Sequence, residues 1–149
     1  MRKLPSVLFF IAAIAGGALY FFWGSPSEAT EVALYKNPQC SCCEGYADYL
    51  RENGFTVSVH PTHELAAMSR EAGIPDALQG CHLSMIDGYA VSGHVPLGTL
   101  NKLLTERPGI KGITLPGMPM GSPGMGGDKT GPFTIYEIGT TEPEVYAVE

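Results

Sequence analysis

No continuous run of lysine or arginine occurs in this sequence, whose 149 residues carry nine basic against fifteen acidic side chains. The formal net charge is −6 at pH 7. A surface that tracks a phosphate backbone needs clustered cations, so a nucleic-acid partner is excluded as an expectation. No internal repeat of solenoid type is present, and the length suits one ordinary domain plus a targeting segment. A structural zinc site built from two paired ligand couples is also missing. Only one Cys-x-x-Cys couple exists, Cys40 with Cys43.

Charge is absent again between residues 4 and 23, and there the absence is informative. Arg2 and Lys3 precede this uncharged, apolar stretch, the layout of an export signal. At about 20 residues it is also long enough to span a bilayer as a helix. Ser27-Glu28-Ala29 offers small residues at the spacing a signal peptidase reads, while Tyr20-Phe21-Phe22-Trp23 suits an interfacial aromatic belt. Residues 1–29 are therefore expected to be a cleaved signal peptide or an N-terminal inner-membrane anchor. Residues 30–149 form the working domain, expected in the periplasm, and the membrane is met only through the N-terminal segment.

Along that domain the patterns alternate. Residues 31–35 read as a strand ended by Asn37-Pro38, and a helical face begins at Cys43, with Tyr46, Ala47 and Leu50, and stops at Asn53-Gly54. Residues 55–60 alternate as a second strand; residues 63–72 read as a second helix, with His63 as its cap. Two apolar runs, 81–86 and 89–95, meet at Asp87-Gly88, a hairpin signal. A third helix is expected over 96–106, with Pro96 in its first turn and Pro108-Gly109 ending it. Residues 115–127 are rich in Gly, Pro and Met without periodicity; residues 133–138 and 144–148 read as closing strands. The class is α/β, in the β-α-β-α-β-β-α order of a thioredoxin-like domain, followed by a Met/Gly/Pro-rich loop and a C-terminal strand.

In that order Cys40-Ser41-Cys42-Cys43 falls at the junction of the first strand and first helix. A helix N-terminus there favours the thiolate. Cys40 and Cys43 alone would suit thiol–disulfide exchange. Cys42 between them is a liability for an exchanger, since it diverts the pair into wrong disulfides. For a metal site it is an asset, because close sulfurs surround or bridge a soft ion such as Cu(I). Cys81-His82 stands just before the third strand, where thioredoxin-like folds commonly carry a cis-proline and face the reactive loop. The hairpin then brings His94 to the same end of the sheet, as a further candidate ligand. Met118, Met120 and Met125 are soft donors that stay useful where thiolates oxidise, or parts of a lid over apolar surface. His60 and His63 lie at the opposite end of a strand and are left out of the site.

These residues resemble the copper-resistance family that includes CopG, long catalogued as a domain of unknown function. The likeness covers about residues 31–138. It rests on Tyr35-Lys36-Asn37-Pro38-Gln39-Cys40-Ser41-Cys42-Cys43, Gly80-Cys81-His82, Asp87-Gly88-Tyr89, Gly93-His94-Val95-Pro96, and Pro116-Gly117-Met118-Pro119 continuing to Gly121-Ser122-Pro123-Gly124-Met125. The resemblance implies a thioredoxin-like fold, a periplasmic location and copper held by cysteine and histidine, in a mononuclear or multinuclear site. It points to Cys40, Cys42, Cys43, Cys81 and His94 as ligands, with His82, Met118 and Met125 behind them. Ser41 stands where the family usually has glycine, and Leu83 where it usually has threonine; neither change removes a ligand.

Two functions are carried forward. One is sequestration or redox handling of copper, with copper ions and other periplasmic copper-handling proteins as partners. The other is a thiol–disulfide oxidoreductase using Cys40 and Cys43. An arsenate reductase, suggested by Tyr35-Lys36-Asn37-Pro38, is disfavoured: it needs an arginine beside its nucleophile, and Arg51 is two helical turns beyond the cluster.

Overall fold

The computed structural model describes residues 29–140 and 142–149. The expected export segment therefore lies outside the described residues. Among those described, no helix is long and apolar enough to cross a membrane.

Alternation of inward and outward residues builds β1 (Glu31–Lys36), with Val32, Leu34 and, unusually, Lys36 pointing inward. The helix α1 (Ser41–Glu52) follows, with Cys43, Tyr46, Ala47 and Leu50 on its buried stripe at helical spacing. It begins two residues earlier than the apolar pattern alone indicates. Cys42 and Cys43 thus lie in its first turn, behind Cys40 as the N-cap residue. Strand β2 (Thr56–Pro61) runs parallel to β1.

Helix α2 (Leu65–Glu71) is shorter than the expected 63–72. His63 is not its cap: Glu64 holds that position, and the Glu64 N–H is bonded by Thr62 Oγ1 at 3.0 Å. The hairpin of β3 (His82–Ile86) and β4 (Tyr89–Ser92) turns at Asp87-Gly88, both with positive φ. β4 stops before His94, so that histidine sits on a loop at the strand end. Helix α3 (Leu97–Glu106) starts just after Pro96 and closes on left-handed Arg107. Then come β5 (Gly112–Thr114), β6 (Thr134–Ile138) and β7 (Val145–Val148).

The sheet has seven strands in the order β2-β1-β3-β4-β5-β6-β7. β5, too short to show periodicity, pairs parallel to β4 and connects the hairpin to the two closing strands. α1 and α3 cover one face, where Leu34, Tyr46, Leu50, Val91, Leu100, Leu103 and Ile135 form the main core. α2 packs on the other, with Leu65 and Met68 against Leu83, Ala90, Ile74 and Ile138. Each fully buried leucine or isoleucine stabilises the fold by about 1.5–3 kcal/mol. A groove of about 790 Å³ lies on the open face of β1–β3, lined by Ala33, Ser58, His60 and Met85. It holds none of the cysteines. The chemistry lies instead at the end of the sheet where β1 stops and β3 starts, since Lys36 and His82 are direct register partners.

Candidate metal centre

Leaving β1, the chain makes a tight turn in which the Cys40 N–H donates to the Asn37 carbonyl at 3.0 Å. The Asn37 side chain accepts from the Gln39 N–H at 3.0 Å, which stabilises this Asx turn. Below the turn sits Lys36, only 3% exposed. Its ammonium donates to the carbonyls of Cys40 (3.1 Å), Asn37 (3.4 Å) and Pro38 (3.4 Å) and pairs with Glu44 at 3.0 Å. A buried ammonium is costly unless its donors are taken up. Here they are.

The turn delivers the cysteines. Cys40 and Cys43 are joined as a disulfide, while Cys42 and Cys81 are free thiols. Cys42 Sγ lies 3.4 Å from Cys40 Sγ, and Cys81 Sγ lies 3.6 Å from Cys43 Sγ. Cys81 then reaches His94 Nε2 at 3.0 Å and His82 Nδ1 at 3.6 Å. Four sulfurs and two imidazoles thus form one continuous line of soft donors. The ligand atoms of Cys40, Cys42, Cys43 and Cys81 all fall within 4.8 Å of one another, as do those of Cys43, Cys81, His82 and His94.

Each histidine is held differently. His94, fully buried, donates from Nδ1 to the Pro123 carbonyl at 2.5 Å. That bond leaves the Nε2 lone pair directed at Cys81, the orientation a ligating imidazole needs. His82 is also fully buried, and its Nε2 has no hydrogen-bond partner among the described residues. An orphaned buried nitrogen costs about 1–3 kcal/mol, whereas the other ring nitrogen, Nδ1, is the one that faces Cys81. Tyr46 packs against both rings, at 4.6 Å from His82 and 5.2 Å from His94, and its hydroxyl donates to the Val95 carbonyl. Burial pushes the Tyr46 phenol well above its ordinary range.

The electrostatics oppose an activated thiolate–imidazolium pair. Burial, with the neighbouring Cys42 adding to it, pushes the Cys81 thiol up to about 12. Burial and the nearby His94 push His82 down to about 3. Burial lowers His94 too, against the opposing bond to Pro123. Both partners of the 3.0 Å Cys81–His94 contact are therefore driven towards neutrality. Neutral imidazoles and thiols that ionise only when a cation arrives make a soft-metal pocket. The donor set fits copper.

All six cysteine and histidine candidates are thus brought together. The methionines are placed differently. Met118 has positive φ and is 43% exposed; Met125 is half-buried, next to the Gly124 that packs on α1. A Cβ on Gly124 would meet the Tyr46 backbone nitrogen at 2.5 Å, and one on Gly45 would meet the Gly124 carbonyl oxygen at 3.0 Å. These two glycines let residues 122–125 lie across the site as a strap, from which Pro123 reaches His94.

Sequence reasoning missed Lys36, Tyr46 and the Pro123 carbonyl as supports. Lys36 carried a signal, being a charge at an inward position of the β1 alternation. Tyr46 was visible only as a core residue, and a backbone carbonyl leaves no residue-type signature.

A family model described as "Protein of unknown function, DUF411" matches residues 78–125, the span holding Cys81, His82, His94 and the strap. Two solved structures are similar, titled "Copper resistance protein copG" Form 2 and Form 1. Each is 33% identical with a TM-score of 0.74 over 82% of this chain; 99% and 98% of the respective chains are covered. Among curated proteins none matches.

Proposed function

Because the chain belongs to the CopG copper-resistance family, we propose that it binds copper through its cysteine and histidine cluster and handles the metal's redox state outside the cytoplasm. The observation carrying this reading is the gathering of four cysteine sulfurs and two buried imidazoles into two overlapping groups, in each of which the ligand atoms lie within 4.8 Å of one another. Soft thiolates with imidazoles suit Cu(I), and the short spacing of the sulfurs suits bridging between more than one ion. The uncharged stretch at residues 4–23 behind Arg2 and Lys3 supports export to the periplasm.

The disulfide makes this site conditional. While Cys40 and Cys43 are bonded, only Cys42 and Cys81 remain as thiols. Exchange with a dithiol reductant, which is itself oxidised to a disulfide, supplies the two electrons and two protons that restore the other pair, after which ionisation supplies the full sulfur set. Copper loading on this reading follows reduction. On this reading Met125, within the strap, and Met118, on the loop before it, are auxiliary donors for an ion entering or leaving.

A second reading has one specific support, the Cys40–Cys43 disulfide at the start of α1, where thiol–disulfide oxidoreductases of the thioredoxin-like type keep theirs. Cys42 and Cys81 weigh against it. Each lies within 3.6 Å of a disulfide sulfur, positioned to intercept the exchange. The test is the copper content of reduced, anaerobically loaded protein. At least about one Cu(I) per chain, falling in Cys42→Ser, supports the copper reading. Rapid turnover of a disulfide substrate by copper-free protein, lost in Cys40→Ser, supports the other.

A further inference from the structure

Among the described residues Lys36 is the one cation built into the cluster's support, where it holds the turn. Among residues of its type it is unusual: lysine is almost never fully buried unless paired. Its ammonium meets three carbonyls of the turn at 3.1–3.4 Å, one of them that of Cys40 itself. Its backbone is the register partner of His82, so the same residue adjoins both halves of the site. The fourth contact is Glu44, whose side chain is 53% exposed and which lies one turn into α1, just beyond Cys43.

Copper binding changes the charge above this lysine. Each Cu(I) brings one positive charge, whereas every cysteine that ligates gives up a proton and brings one negative charge. A cluster with more thiolates than copper ions is therefore anionic, in a pocket where charge is poorly screened. We propose that Lys36 is the fixed counter-charge of the loaded cluster, and that Glu44 limits how much of that charge the sulfurs feel. This makes Lys36 a positioning and electrostatic residue that never touches the metal, and it rests on the copper reading. The lysine holds the turn in the same contacts, so the two roles need to be separated.

Glu44→Gln separates them. It removes the paired negative charge and leaves the Lys36–carbonyl bonds in place, and at an exposed position it costs no buried packing. Cu(I) affinity is measured on the full chain, reduced and anaerobic, by competition with bicinchoninate. A counter-charge predicts that Glu44→Gln binds Cu(I) about threefold to tenfold more tightly, and Lys36→Met at least about tenfold more weakly. A purely structural lysine predicts that any gain in Glu44→Gln, arising from lost repulsion between its carboxylate and the thiolates, is the same in a Lys36→Met background as in wild type. Unchanged or weaker binding in Glu44→Gln, or an equal gain in the Lys36→Met background, overturns the proposal, even where Lys36→Met is weakened through a disturbed turn. Wild-type protein that binds no copper overturns the copper reading and this proposal with it. Wild-type binding without the opposite responses of the two variants overturns this proposal alone.

Discussion

Cys81 and His94 face each other across the mouth of the β3–β4 hairpin, with Sγ 3.0 Å from Nε2. The contact is short but not ionic, since burial drives the thiol up and the imidazole down. A protease-like pair would separate charge at this distance; this one stays neutral until a cation displaces the thiol proton.

His94→Ala is accordingly expected to weaken Cu(I) binding by at least about tenfold in a chelator competition, the lower end of what even a supporting residue costs. The variant loses the donor and also the bond to Pro123. Affinity equal to wild type would remove His94 from the site.

The strap can be tested without replacing a donor. Gly124 has φ +78, and a Cβ there would meet the Tyr46 nitrogen at 2.5 Å. Gly124→Ala should lift residues 122–125 from α1 and free His94 from the Pro123 carbonyl. We expect release of copper to a competing chelator to speed up by about 10-fold to 100-fold, the range seen when the support of a ligating histidine is lost. Rates matching wild type would show that the strap only covers the site.

Much of this arrangement was legible in the sequence. The strand–helix–strand–helix–hairpin–helix order followed from apolar spacing and from Asn53-Gly54, Asp87-Gly88 and Pro108-Gly109. The meeting of Cys81, His82 and His94 with the first cysteines followed from where that order puts the ends of β1, β3 and β4. What could not be read has identifiable causes. β5 spans three residues, below the length at which alternation declares itself. The Cys40–Cys43 bond depends on Cβ geometry at the helix start, which spacing alone permits but does not select. Lys36 lies within the 35–43 motif, yet its role depends on three backbone carbonyls converging beneath one turn.

The metal-free fold should be sensitive to acid through His82. Its folded pKa, near 3, lies below the ordinary value of 6.5, so the unfolded chain binds the proton first as pH falls. Stability is present in full above about pH 6.5 and is lost between there and pH 3, at up to about 1.4 kcal/mol per pH unit from this group. Urea unfolding at a series of pH values should show a shallower decline in His82→Leu than in wild type. Parallel declines would mean that His82 takes up its proton in the folded state without penalty.

Copper X-ray absorption tests the central claim most directly, because it reports the atoms around the metal. Full-length protein, reduced and loaded with Cu(I) under anaerobic conditions, should show sulfur scatterers with a smaller nitrogen contribution, and the nitrogen part should fall in His94→Ala. A first shell of oxygen and nitrogen alone, or a spectrum unchanged when Cys81 is replaced by serine, would contradict copper binding by this cluster.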